Sequence, residues 1–560
     1  MTRSPRSRGT RLALALVLLA GCGAQRGSAT PRVASSGDTS TAHPYRPGID
    51  VLDYDLTLDL PLRGNVVRGD AVITMQRTAA VDTVVLDLVR LGVDSVRVDG
   101  RRVGFSRTPT EIHVPLPAGE RGRFTVGIAY AGAVEDGLII RTDSAGRWTG
   151  FGDNWPNRGR FWIPSVDHPS DKATVSWTVT APAERTVIAN GVQVERTIVA
   201  DGRARTRWRE SHSIPVYLMV IAAAPLVEYP LGETACGLAS TGRCVPQYVY
   251  TSPEQRTMLP GPFGQAGEIV RYFASLVGQF PYERLAHVQS STRFGGMENA
   301  TAIFYSDAAF RRGTMNEGLI AHETAHQWFG DAVTEREWAH LWLSEGFATY
   351  FAALWTRHAR GDSAFRVELR GIRDAIFSDV DAVPKRPVID TQQTELLALL
   401  NRNSYEKGGF VLHMLRQQVG DSAFFGALRS YYATYRDANA LTDDLRSAME
   451  RTSRQPLVWF FDQWLRRPGF PELNVTWSYD PSSHQVLLDV IQDDRFGAFR
   501  LPLTLELRDA TGTKRRATVA VPAERHVRLQ VPGSLSAAPT AVVADPDVEL
   551  LARIEVHTNR

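Results

Sequence analysis

The chain is 560 residues long, with 43% hydrophobic residues, 22% charged residues and a formal net charge of +2. That length exceeds what one hydrophobic core organises and implies roughly three or four domains. The composition is that of an ordinary globular protein, and so even a charge balance gives no footprint for a nucleic-acid partner.

The N-terminus reads as a targeting segment. Arg3, Arg6, Arg8 and Arg11 precede an apolar run from Leu12 to Ala20 that is too short to span a bilayer. The run ends in Leu19-Ala20-Gly21-Cys22, which resembles the bacterial lipobox, where cleavage leaves the Cys as a lipidated N-terminus. Residues 1–22 are thus expected to be a lipoprotein signal peptide. The mature protein is expected to be exported and anchored through Cys22 to a bacterial membrane, at the outer membrane or on the periplasmic side. Residues 23–42 are rich in Gly, Ser, Thr and Ala and read as a flexible tether with a reach of roughly 25 Å.

From residue 43 to 232 strand follows strand. Tyr54-Asp-Leu-Thr-Leu-Asp-Leu60 alternates apolar and polar residues, as do Phe124 to Tyr130 and Ala173 to Thr180, with Pro and Gly turns between such runs. Cys236 and Cys244 follow. In an exported chain, two cysteines so close in sequence are expected to form a disulfide, which would stabilise by roughly 2–3 kcal/mol. Ile269 to Val277 has helical spacing, His287 to Ser290 is strand-like, and Glu317 to about Trp464 is helical nearly throughout. Alternation returns after Pro468-Gly469, so residues 471–560 are expected to form a small β-sandwich. The fold class is multidomain α+β: an N-terminal β-sheet domain, a mostly helical domain at 233–470, and the sandwich.

The chemistry concentrates in the helical domain. His322, Glu323 and His326 spell H-E-x-x-H, and eighteen residues separate His326 from Glu345. Two His at i and i+4 share a helix face, about 5–6 Å apart at Cβ. Zinc takes imidazole nitrogen and carboxylate oxygen, and a catalytic site keeps one position open. His322, His326 and Glu345 are therefore expected to hold one Zn²⁺ per chain, with Glu323 as general base. Apolar Leu319, Ile320, Trp328 and Phe329 flank the polar trio, and burying it without a metal would be unfavourable.

Further segments resemble the gluzincin zinc aminopeptidases typified by alanyl aminopeptidase and leukotriene hydrolase. Gly295-Gly-Met-Glu-Asn299 resembles that family's exopeptidase motif. His322 to Gly330 and Leu341 to Ala348 match its metal-ligand blocks, and Ser404-Tyr-Glu-Lys-Gly408 matches its catalytic tyrosine block. Weaker matches include Trp162 to Thr174 and Phe461 to Trp464. The resemblance implies a thermolysin-like catalytic domain and an aminopeptidase acting on peptides with free N-termini. In it Glu323 moves the proton and Tyr405 donates a hydrogen bond to the oxyanion. Glu298 binds the substrate ammonium by a charge-assisted hydrogen bond, and Gly295, Gly296, Met297 and Asn299 complete the substrate-binding block. The bare Gly295 and Gly296 would let an extended peptide lie against their backbone.

Two departures qualify that pattern. Many members carry a second amine-binding Glu or Gln in the β domain, where this chain has Phe151-Gly-Asp-Asn-Trp-Pro-Asn157; Asp153 and Asn154 are the candidates to replace it. The chain also stops after the sandwich, without the helical domain that covers the site in many relatives, so a more open site is expected. The alternatives are a thermolysin-like endopeptidase and a catalytically silent, peptide-binding lipoprotein.

Overall fold

The structure, a computed structural model, describes residues 45–117, 119, 122–142, 148–235 and 244–558. The signal segment, the tether, Cys22 and Cys236 lie outside these residues, and so does the expected Cys236–Cys244 bond.

The N-terminal domain is built on an eight-stranded sheet. Its strand order is Val192–Val199, Arg203–Pro215, Lys172–Pro182, Ile49–Asp59, Val66–Arg77, Gly122–Ala133, Gly92–Val98 and Arg101–Val103. The alternation read from the sequence has a direct cause. Tyr54, Leu56, Leu58 and Leu60 turn into the core, while Asp55, Thr57 and Asp59 face solvent. A second sheet of four strands contains Thr186–Ala189, Ile221–Ala224, Trp148–Gly152 and Leu138–Thr142.

The expected domain boundary at 232 falls inside a strand. Val227–Ala235 pairs with Cys244–Thr251, and both belong to a five-stranded sheet completed by Leu285–Ser290, Ala302–Ser306 and the short edge strand Gly296–Met297. The sheet of the second domain therefore begins earlier than residue 233. Helices Ala266–Val277, Glu317–His326, Trp342–Ser378, Gly408–Val419, Asp421–Tyr435, Thr442–Ser453 and Val458–Leu465 follow, the long third one interrupted at Gly361. Two facing sheets, of four and three strands, make the C-terminal sandwich. It docks on the last helix, where Gln463 Nε2 donates to Arg500 O at 2.9 Å and Arg500 N donates back to Gln463 Oε1 at 2.8 Å. Among the described residues, no helix is long and apolar enough to cross a membrane.

The β domain meets the helical domain through polar contacts. Lys172 Nζ donates to the carbonyls of Asp331 (2.9 Å), Ala332 (2.9 Å) and Ala438 (3.2 Å). Tyr217 donates its hydroxyl hydrogen to Gly330 O at 3.2 Å.

Candidate active site

The helix Glu317–His326 starts on an Asn316 cap, whose Oδ1 accepts from Leu319 N at 3.0 Å. It presents His322 and His326 one turn apart. The chain then reverses at Gly330, in the left-handed region at φ +119°, where a Cβ would collide with Ser344 Oγ. This brings in the next helix, Trp342–Ser378, with Glu345 in its first turn.

The three ligand atoms converge. His322 Nε2 lies 3.2 Å from His326 Nε2, and Glu345 Oε2 is 3.3 Å and 3.4 Å from those two nitrogens. A tetrahedral zinc with metal–ligand distances near 2.1 Å sets neighbouring donors roughly 3.4 Å apart, so this triad has the spacing and the donor types that zinc requires. His326 is oriented from behind, its Nδ1 lying 2.9 Å from Ser344 Oγ and 3.2 Å from Phe329 O. Glu345 is held at about 2: burial opposes its ionisation, but the His326 and His322 imidazoles outweigh it.

Tyr405 reaches the triad because glycine removes an obstacle. Gly346, beside Glu345, packs against Gly408, and a Cβ on Gly346 would stand 2.9 Å from the Gly408 carbonyl carbon. The tyrosine lies on a single π-helical turn, Asn403–Lys407, a distortion often found at functional positions. Its hydroxyl donates to Glu345 Oε1 at 2.8 Å, and its ring stacks on His322 with centroids 6.0 Å apart. Burial and the neighbouring Glu345 push the phenol well above its ordinary value, so Tyr405 is a hydrogen-bond donor.

The Gly295–Asn299 segment lies alongside. Carboxylate oxygens of Glu298 and Glu323 and a nitrogen of His326 sit within 4.8 Å of one another. Burial raises the Glu298 carboxyl to about 7 and raises the Glu323 carboxyl well above its ordinary value, a direction that suits Glu323 to accept a proton. Gly295 has open space where a side chain would stand. Gly296 does not: a Cβ there would collide with the Glu323 carboxylate. The bareness of Gly296 therefore makes room for Glu323, while Gly295 alone leaves clear space of the kind expected for a peptide. Met297 and Asn299 are buried.

The two β-domain candidates have other partners. Asn154 Nδ2 donates to Val216 O (3.2 Å) and Met219 O (2.6 Å), and its Oδ1 accepts from Trp162 Nε1 (2.8 Å). Asp153 is fully buried and pairs with Arg158 at 3.0 Å and Arg293 at 3.2 Å, while accepting from Thr292 Oγ1 at 3.0 Å. Asp153 braces the entry to the Gly295–Asn299 segment through Thr292 and Arg293, whereas Asn154 ties together elements of the β domain. Both are shorter than the Glu or Gln they would replace, and their polar atoms are used against main chain, Trp162, Thr292 and arginine.

Sequence reasoning passed over two residues that the structure brings in: Gln327, whose Nε2 donates to Glu298 O at 2.8 Å, and Asn190, whose Nδ2 donates to Ala300 O at 2.8 Å. Gln327 follows the second ligand, a positional signal that could have singled it out, as the place of Ser344 before the third ligand marks the residue behind His326. Asn190 carries none. His340, His358 and His413 have structural partners: Thr442 Oγ1 at 2.8 Å, Glu268 at 3.2 Å and Val548 O at 3.2 Å.

Comparison with known proteins agrees with this arrangement. Residues 51–218 match the Peptidase M1 N-terminal domain, and residues 265–464 match the Peptidase family M1 domain. Human glutamyl aminopeptidase is 28% identical over 354 residues, which cover 60% of this chain and 36% of that protein. A probable aminopeptidase 2 of Sulfurisphaera tokodaii is 25% identical over 485 residues, covering 82% of this chain and 59% of that protein. The chain thus spans between about a third and three fifths of the length of these curated relatives. Among solved structures, Legionella pneumophila aminopeptidase A in complex with aspartic acid superposes with a TM-score of 0.79 at 18% identity, covering 92% of this chain and 60% of that one. An M1 zinc metallopeptidase from Deinococcus radiodurans gives 0.63 at 28% identity, covering 72% and 90%. A mutant of that enzyme bound to a Tyr-Ser-Ala substrate gives 0.65 at 26%, covering 75% and 94%.

Proposed function

The chain belongs to peptidase family M1, and on that basis we propose that it is a zinc-dependent metallo-aminopeptidase that removes N-terminal residues from peptides. The observation that carries this reading is the Glu298 carboxylate, buried beside Glu323 and His326. An acid so placed, next to a metal triad rather than in it, suits a substrate ammonium.

His322, His326 and Glu345 would hold the zinc. Bound there, zinc supplies Lewis acidity and lowers the pKa of coordinated water toward neutrality. The chain's own groups do the rest. Glu298 fixes the free amine, and with it the register of the peptide. Glu323 takes up a proton and delivers it to the departing amine. Tyr405 turns its hydroxyl from Glu345 to the oxygen that gains charge. The endopeptidase and silent-binder readings gain no support from the relatives, which are aminopeptidases.

The test is a panel of aminoacyl-coumarin substrates, with and without chelator, on the zinc-loaded protein. Glu298→Ala should raise KM and lower kcat for free-amine substrates, and Glu323→Gln should abolish turnover. Cleavage of blocked peptides but not of free-amine ones would overturn the proposal in favour of an endopeptidase.

From the sequence alone we also infer that the protein is exported and lipid-anchored through Cys22, with a Cys236–Cys244 disulfide. Labelled fatty acid should enter the wild type and not Cys22→Ser; incorporation into both would exclude the anchor.

A further inference from the structure

Glu298 can select an amine only if its carboxylate keeps a fixed place beside the triad, yet it lies on a loop. Four hydrogen bonds hold that loop from two directions. From the exit of the ligand helix, Gln327 Nε2 donates to Glu298 O at 2.8 Å, and Gln327 Oε1 accepts from Thr301 N at 2.9 Å. From the β domain, Asn190 Nδ2 donates to Ala300 O at 2.8 Å, and Gly191 N donates to Thr301 Oγ1 at 2.6 Å.

The β-domain side is itself held by buried hydrogen bonds. Asn190 is fully buried, its Nδ2 also donating to Leu218 O at 2.8 Å while its Oδ1 accepts from Val220 N at 2.7 Å. Gly191 sits at φ +79°, and a Cβ there would collide with Arg209 O, so this corner is wedged against the large sheet. The loop needs such support. Thr301 is a β-branched residue at φ +65°, a conformation that persists only where surrounding contacts impose it.

We propose that Asn190 and Gly191, acting through Ala300 and Thr301, are positioning residues for amine recognition: the β domain sets the place of Glu298 without touching substrate. The inference rests on the aminopeptidase reading.

Asn190→Ala, Thr301→Val and Thr301→Ser separate the possibilities, assayed on the full zinc-loaded chain with aminoacyl-coumarins. Thr301→Val keeps the shape and loses the acceptor for Gly191 N; Thr301→Ser keeps the acceptor. Asn190→Ala and Thr301→Val should raise KM about tenfold with kcat changed less than about threefold, the size of a weakened hydrogen bond to a charged group. Zinc content should stay at that of the wild type, and Thr301→Ser should restore KM. An unchanged KM in folded Thr301→Val would overturn the inference. So would an equal loss in Thr301→Ser and Thr301→Val, or a loss of rate that tracks loss of zinc. If the wild type itself fails on free-amine substrates, the aminopeptidase reading falls first.

Discussion

The hydroxyl of Tyr405 donates to Glu345 Oε1 at 2.8 Å, while the other oxygen of the same carboxylate faces His322 and His326. One carboxylate thus joins the metal site to the hydrogen-bond donor that stands over it. Phenylalanine keeps the ring that stacks on His322 and loses only the donor. Tyr405→Phe should lower kcat by roughly a hundredfold to a thousandfold with KM little changed, in steady-state kinetics on the zinc-loaded protein. A drop below tenfold would leave Tyr405 as a packing residue.

Ser344 stands behind His326 with its Oγ 2.9 Å from Nδ1. A ligand histidine whose rear nitrogen loses a partner is less well oriented, and such changes weaken metal binding by roughly ten- to a hundredfold. Ser344→Ala should lose zinc faster to a chelator by about that factor, while Ser344→Asn should hold it. The remaining bond from Nδ1 to Phe329 O, at 3.2 Å, keeps the effect at the lower end.

Asp171 gives a pH dependence of stability. Burial, assisted by Asp50 and opposed by the amide of Val51, raises its carboxyl from 3.8 to about 8. Between those values the native state keeps a proton that the unfolded chain releases, so stability falls as pH rises from about 4 to about 8. Asp171→Asn cannot titrate and keeps an acceptor for Val51 N. Urea unfolding at pH 5 and pH 8 should therefore show a smaller loss in the variant than in the wild type; equal losses would remove Asp171 from the account.

The legible parts of this molecule are those that depend on local periodicity. Helical spacing alone puts His322 and His326 on one face, and strand alternation alone buries Tyr54, Leu56 and Leu58. Tyr405 was legible only through its motif, because a π-helical turn places it and no periodicity marks such a turn. What stayed hidden depends on contacts between distant residues. Asp153 was a candidate for the substrate amine because its contact with Arg293, 140 positions away, is not written in the local sequence. Gly296 suggested room for a peptide, and only the packing of strand on helix shows that Glu323 fills that room. The boundary near 232 was misplaced for the same reason: Val227–Ala235 has the alternation of the strands before it, and only its pairing assigns it to the next sheet.

Lys172 supplies the last consequence. Its ammonium, on the β domain, closes on three carbonyls of the catalytic domain, two of them at the exit of the ligand helix. His322, Glu323, His326, Glu345 and Tyr405 all lie in one domain, while the cation that holds the exit of the ligand helix belongs to the other, which is made first as the chain is synthesised. A hybrid joining residues of the helical domain to a β domain with no cation at the place of Lys172 would keep every one of these side chains and lose the three hydrogen bonds, two of which tie down the exit of that helix.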